Sequence, residues 1–519
     1  MKLFSEIRKN QYFDSIQTLY ATSVLSDMEG VEKAYVSMGT KAGKDVLKDL
    51  EMIDEAISSA SESDLVIAVC AASDAVFEKA VAKLGELVDS NGKHATAEGK
   101  RYPTTNMAIT ENPDANVCII SVPGEYVRGE AEKALNAGLH TIIFSSNVPF
   151  EDERALKELA REKGLLCMGP DCGVVNLNGV AFVLGSINNK GPFGLCGASG
   201  IGIQLVGALM HKVGSGISQA IGTGGNDTKD PIGGITMLMG IDALEKDPET
   251  KYIVLVSRKP GDQVLKRVLE RVSICKKPVV VYFMGCSQEE IEASGAIWAS
   301  NLEDAAQKAL ALIGKKLDLG SEEDLMELAA ESVAGMSEEQ KYVRGAFLGG
   351  TYCDEAMRVM QEKIGDIYSN APLSPELRLA DSRKSVKNSV IDYGEEEFTL
   401  GRPHPTMEPS VRKPAIMHEA MDPETAVLLL DFVLTPPGPA DPVGDVIGDI
   451  KEAMSMVHDR GGKLVVVASV CGTDADLQNL EYQESQLREA GVLVCPTNYR
   501  AALLAGEIIR IKNGGNNNE

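Results

Sequence analysis

Residues 195–204, LCGASGIGIQ, set Gly197, Ala198, Ser199, Gly200 and Ile201 between an apolar run and a helical pattern. Glycines let a strand turn sharply into a helix, and the first N–H groups of that helix have no partner inside it. Those N–H groups and the helix dipole can hold a phosphate or a similar anion, with the Ser199 hydroxyl as an added donor. Ser199 could equally serve only as the N-cap of the helix, so two readings stand. A second turn, LGGTYCDEA at 348–356, places Gly349, Gly350 and Thr351 before another helical pattern. Cys353 beside it is either a thiol activated at a helix N-terminus or a buried structural cysteine. The loop GRPHPTMEPSVR at 401–412 adds Arg402, His404 and Arg412, stiffened by prolines. His404 could act as a general acid or base because imidazole titrates near neutrality; it could also be a solvated loop residue. VSMGTKAGK at 36–44 is either a weak phosphate cradle or an ordinary turn.

The elements that must hold these turns are alternating strands and helices. Residues 12–90 alternate helical patterns with short apolar strands, and a polar stretch at 89–105 reads as a linker. From 116 onward, strand, helix and strand follow one another through short loops, which requires parallel sheets with helical crossovers. The apolar run after DPET at 247–250 returns after DPET at 422–425, a spacing of 175 residues. Three further pairs of stretches match in the same order: FGLCGASGIGIQLVGALM with GAFLGGTYCDEAMRVM, KPVVVYFMG with GKLVVVASV, and GAIWASNLEDAAQKAL with GVLVCPTNYRAALLAG. Ordered matches of this kind mark an internal repeat. The expected fold is multidomain α/β. It comprises a small ferredoxin-like α/β domain at 1–100, a Rossmann-like domain at 106–190, flavodoxin-like modules at 191–316 and 343–512, an acidic linker with helical tendency at 317–342 and a disordered tail at 513–519.

Composition narrows the partners. The formal charge of −25 over 519 residues repels phosphate backbones and anionic lipid, so neither nucleic acid nor a membrane surface is an expected partner. No apolar run approaches the roughly 18 residues of a membrane span, and the start MKLFSEIRKNQYF has no signal-peptide core. The cytoplasm is the expected compartment. The ten cysteines sit mostly in apolar runs without zinc-ligand spacing, so they read as reduced core thiols and no metal is expected.

DANVCIISVP, GPDCG (169–173), GASG (197–200), GTGGND (222–227) and DPETKYIVLV stand in an order that resembles the α subunit of the succinyl-CoA synthetase superfamily. The module at 343–512 resembles the carboxyl-terminal domain of its β subunit. Through GPDCG, GASGIGIQ, AIGTGGND and GRPHP (401–405) the chain is identified as a member of the FdrA family, over essentially its whole length. The resemblance makes 106–190 a domain of the CoA-binding type. It adds Gly224, Gly225 and Asn226 to the anion site, and it sets the Gly349–Thr351 turn opposite the first. The superfamily carries phosphate on a histidine in a G-H-A-G-A motif, and the matching EASGAIWAS puts Ala293 there. The glutamate that steadies that histidine corresponds to Arg258. A carboxylate suits an imidazolium, whereas Arg258 or Lys259 suits a free anion; unrelated drift is the other reading.

FdrA-like proteins occur with two companion subunits, one of the DUF1116 type, and with a carbamate kinase. The resemblance implies oxamate carbamoyltransferase, converting oxalurate and phosphate to oxamate and carbamoyl phosphate in allantoin and purine breakdown. Arg258, Arg402 and His404 would then be catalytic, the ligands small anions, and a homodimer a further assembly. The alternatives are an NDP-forming acyl-CoA synthetase and a non-catalytic scaffold. CoA is the one candidate cofactor, but the superfamily's glycine-rich CoA loop and its ATP-grasp domain have no recognisable counterpart here.

Overall fold

The computed structural model describes every residue except 1, 12, 14, 27, 29, 51, 91–99, 101, 400–403 and 516–519. The chain divides into two compact units, 1–101 with 394–408, and 102–393 with 409–519.

In the first unit Leu65–Ala71 is the central strand of an antiparallel sheet, with Lys2–Arg8 and Val31–Met38 on either side. LVIAVCA is apolar at successive positions because helices cover both faces. Leu65, Ile67 and Val69 pack with Leu25, Ala80 and Leu84, while Val66 and Ala68 pack with Val46, Leu47 and Ile57.

In the second unit Val117–Ile120, His140–Ile143 and Cys167–Met168 form a three-stranded parallel sheet. A seven-stranded sheet follows. Its parallel strands run in the order Ile217–Gly222, Lys190–Gly197, Tyr252–Arg258, Val279–Met284 and Ile297–Trp298, which is the flavodoxin-like order 2-1-3-4-5. The hairpin Val174–Leu177 and Val180–Val183 extends it antiparallel beyond Ile217–Gly222, so this sheet reaches back across the boundary expected at 190. The last sheet, of six parallel strands, repeats the order with Ser389–Asp392, Tyr342–Phe347, Thr425–Val433, Val465–Cys471 and Leu493–Cys495, plus a short outer strand Tyr368–Ser369. The sequence repeat is therefore a repeat of topology. Strands buried on both faces read as continuous apolar runs, and all nine residues of TAVLLLDFV are buried.

Two expectations need correction. The acidic stretch 317–342, expected as a linker with helical tendency, does form a helix, Glu322–Ser332, with a capping box of Ser321 and Asp324, but its Leu325, Leu328 and Ala329 pack into the core, so it is part of the fold and not a spacer. The segment 394–408 departs from the module expected to run unbroken from 343 to 512 and groups with the amino-terminal residues.

The two modules share one core, in which Val206 and Leu302 of the first lie with Tyr352 and Leu504 of the second. Polar bonds lock the seam. Arg500 Nη2 and Nε reach the Glu303 carboxylate at 2.9 and 3.0 Å, and Gln204 Nε2 donates to Leu434 O at 3.1 Å.

Candidate functional site

The first turn follows the strand Lys190–Gly197 through Ala198 into the helix Gly200–Lys212. Ser199 is its N-cap, accepting from Gly202 N at 3.0 Å. The same oxygen lies 2.9 Å from Thr351 Oγ1, and both hydroxyls are buried. Thr351 stands in the first turn of the helix Gly350–Ile364. The two N-termini that the repeat implies thus meet side chain to side chain.

The second turn has no side-chain cap at Gly349. It is instead crowded by the other module: a Cβ on Gly349 would lie 2.6 Å from Ile201 Cδ1, and one on Gly350 would lie 1.7 Å from Arg258 Nη2 and 2.7 Å from Asp392 Oδ2. Only glycine at 350 allows this approach. Arg258 ends the strand Tyr252–Arg258 as an exposed residue and forms no ion pair among the described residues. A guanidinium therefore stands at the positive end of a helix, with the buried Asp392 carboxylate close by.

Behind the turn the loop residue Arg412 is buried against Asp431, a partner that the sequence did not single out. Leu348 N donates to Asp431 Oδ1 at 2.9 Å. Arg412 Nη1 donates to Ala346 O at 3.0 Å and to Asp431 O at 2.7 Å, and lies 3.3 Å from Asp431 Oδ1. Burial pushes the Asp431 carboxyl up to about 6, against the pull of Arg412. A lone carboxylate inside TAVLLLDFV is the only signal the sequence offers for it.

Glu355, one helical turn beyond Thr351, is also buried. It accepts from Leu302 N at 3.2 Å and Asn498 Nδ2 at 2.8 Å, and burial pushes it up to about 7. It lines a cleft of about 580 Å³ with Tyr282, Arg358 and Tyr499.

The remaining expected residues divide. Thr223 N donates to Gly197 O at 2.9 Å, so the loop with Gly224, Gly225 and Asn226 borders the first turn. Yet Gly224, with φ of +83°, is pressed where a Cβ would meet Pro170 O at 2.1 Å. Asn226 Nδ2 is spent on Glu153 Oε2 at 3.2 Å, and Gly225 is exposed. Next to them the buried Lys157 bonds Thr223 O and Asp227 Oδ1, each at 2.8 Å, so this loop is knitted to the segment before it. The Cys353 thiol is pushed well up by burial, which corrects the activated-thiol reading.

His404 belongs to the unit of 1–101 and 394–408. Its Nδ1 lies 2.9 Å from Thr406 Oγ1 and accepts from Thr406 N at 3.3 Å, and burial pushes the imidazole down to about 4. It is neutral at pH 7 rather than poised near neutrality, as the sequence suggested. Arg402 lies outside the described residues. In VSMGTKAGK, Thr40 caps the helix Lys41–Asp49, and Lys44 Nζ bonds Ser58 O at 3.0 Å and Ala60 O at 2.5 Å. That stretch is a capped turn with its lysine already engaged.

Family models match three parts of the chain: the AllF heavy metal-associated domain over 1–103, the CoA binding domain over 188–285 and the CoA-ligase domain over 346–508. An uncharacterized Escherichia coli K12 protein, YahF, is 41% identical over 506 residues, covering 97% of this chain and 98% of its own. The chain belongs to the FdrA-like family of the succinyl-CoA synthetase superfamily. A succinate–CoA ligase α subunit of Archaeoglobus fulgidus is 28% identical over 218 residues, 41% of this chain and 73% of that one. The malate–CoA ligase α subunit of Methylorubrum extorquens is 27% identical over 219 residues, 40% of this chain and 72% of that one. Among solved structures, a dinucleotide-forming acetyl-coenzyme A synthetase of Ca. Korarchaeum cryptofilum aligns over 86% of this chain and 94% of its own, at 16% identity and a TM-score of 0.33. Among the described residues, no group of three or more His, Cys, Asp or Glu is placed to hold a metal, and no helix is long and apolar enough to cross a membrane.

Proposed function

We propose that the paired N-termini around Ser199 and Thr351 bind phosphate or carbamoyl phosphate. In this reading the chain is the FdrA-like subunit of an oxamate carbamoyltransferase, working with companion subunits that include a DUF1116-type protein. The observation that carries it is Arg258: a guanidinium that forms no ion pair among the described residues stands against Gly350, beside the Asp392 carboxylate and at the mouth of a helix with no side-chain cap. A phosphate there would meet Arg258, helix N–H groups and the Ser199 and Thr351 hydroxyls, the donor set that suits a tetrahedral anion. In the reaction a phosphate oxygen attacks the carbamoyl carbon of oxalurate and the carbon–nitrogen bond to oxamate breaks. The oxamate nitrogen takes up the proton that the attacking hydrogen phosphate gives up, and donors already in place offset the charge that builds on the carbamoyl oxygen. With its imidazole held down to about 4, His404 is not assigned the proton donation.

The test is the reconstituted complex with oxalurate and inorganic phosphate, read by carbamoyl phosphate formation. The expected result is phosphate-dependent cleavage, reduced at least about tenfold by Arg258→Glu, a loss typical of removing one charge-stabilising donor. No cleavage by the complete complex refutes the proposal.

A second reading, acyl-CoA ligation, is favoured by the CoA-binding and CoA-ligase family matches. It requires a phosphoryl carrier, and Ala293 stands where the superfamily has its histidine. Nucleotide-dependent thioester formation by the same complex would establish it in place of the first.

A further inference from the structure

The two turns are held by different devices. Ser199 caps its own helix, whereas Gly349 offers no side chain, and the bond from Cys353 N to Gly349 O is a long 3.3 Å. Two consecutive glycines leave such a turn with large backbone freedom. What fixes its entry is the 2.9 Å bond from Leu348 N to Asp431 Oδ1, a carboxylate projecting from the neighbouring strand Thr425–Val433. The same place in the first copy, 175 residues earlier, is Val256.

The pair that supplies this bond is expensive. The side chains of Asp431 and Arg412 are both 0% exposed. Arg412 Nε and Nη2 and Asp431 Oδ2 have no hydrogen-bond partner among the described residues. A buried, half-satisfied ion pair commonly stabilises less than an apolar replacement would, and the sister module folds with valine there. The carboxylate also sits beside a turn proposed to bind an anion, where alone it would repel the ligand. Arg412, stacked over the Phe432 ring at 4.8 Å, cancels that charge while holding Asp431 in place.

We infer that Asp431 and Arg412 are positioning residues for the second anion-binding turn, Asp431 fixing the chain just before the uncapped helix through the Leu348 N–H and Arg412 holding and neutralising it. The inference deepens the proposed function and rests on its reading of the paired N-termini.

The experiment compares the full chain with Asp431→Asn and with the double variant Arg412→Met/Asp431→Val. It reads hydrogen exchange of the amides at 348–353 and calorimetric binding of inorganic phosphate. Asn keeps the acceptor for Leu348 N–H and drops the charge; the double variant copies the apolar solution of the first module. In the double variant, exchange at 348–353 should speed up about tenfold or more while 198–203 keep their protection, and the phosphate Kd should rise about tenfold. Asp431→Asn leaves the buried Arg412 charge unpaired and so lowers global stability, but the ratio of protection at 348–353 to that at 198–203, and the phosphate Kd, should stay within about threefold of wild type. Wild-type exchange at 348–353 in the double variant, or an equal fall in that ratio from Asp431→Asn, overturns the inference. Should the double variant not fold, Asp431→Asn decides by itself, because loss of protection at 348–353 relative to 198–203 there is equally fatal. If exchange behaves as expected but wild-type chain binds no phosphate, the positioning role stands and the proposed function falls.

Discussion

In the module at 191–316 the helix behind the first glycine turn is capped by its own Ser199, and in the module at 343–512 the equivalent helix is held from the next strand by Asp431. The local device costs one hydroxyl and leaves the turn to its own chain. The remote one leaves Gly349 and Gly350 bare, and that bareness admits Ile201 and Arg258 from the first module. A side chain at 350 would occupy the space that Arg258 now takes. The repeat diverged where its two copies meet, since two identical capped turns could not interlock this closely.

The comparison depends on the modules staying locked, so the largest effect is expected at the seam. Arg500→Ala leaves the buried Glu303 carboxylate without its bidentate partner, and removing one member of a buried pair costs about 3–5 kcal/mol. Denaturant unfolding should show that loss; a change under about 1 kcal/mol would mean the seam is held by apolar packing alone.

Glu355 gives the next effect. Its ordinary value is 4.5 and burial raises it to about 7, so the folded chain keeps a proton that the unfolded chain releases between those values. The contribution of Glu355 to stability therefore declines as pH rises through that window, by about 3 kcal/mol in all. Glu355→Gln should flatten the difference in unfolding free energy between pH 4.5 and 7.5 by that amount. An unchanged pH profile would place the proton elsewhere.

The capping contrast predicts a smaller change. Ser199→Ala removes an N-cap worth about 1 kcal/mol, so a thermal melt should register a modest drop. No change in the melt would mean that the Ser199 bond to Gly202 N contributes nothing to the helix. Gly350→Ala should cost about 1 kcal/mol: the exposed Arg258 can swing aside, but the buried Asp392 Oδ2, 2.7 Å from the added Cβ, must shift. It should also weaken phosphate binding in calorimetry, and unchanged binding would remove Arg258 from the site.

Much of this architecture is legible along the chain. DPET at 247 and 422 fixes the repeat because a helix-to-strand junction is a local event. LCGASGIGIQ shows its turn because glycines and a capping serine act within four residues. The packed helix Glu322–Ser332 also left a signal, with Leu325, Leu328 and Ala329 at helical spacing, but its acidic face made it resemble a linker. The parts of the site that were hidden are those made by residues distant in sequence. Arg258 reaches Gly350 from a strand of the other module, and Asp431 is one polar letter in an apolar run whose partner, Leu348, lies 83 residues away. Asn226 looked like a ligand-binding asparagine until Glu153 was seen to hold it.

The sequence by itself determined the doubled α/β topology and the two glycine turns, because periodicity and turn chemistry are local properties. Only the tertiary structure decided that Ser199 and Thr351 touch and that Arg258 stands at an uncapped helix. It also decided that the imidazole of His404 and the thiol of Cys353 are held away from their ordinary titration ranges. Proximity between distant segments and the desolvation of a buried group are set by packing, and packing is a property of the whole fold.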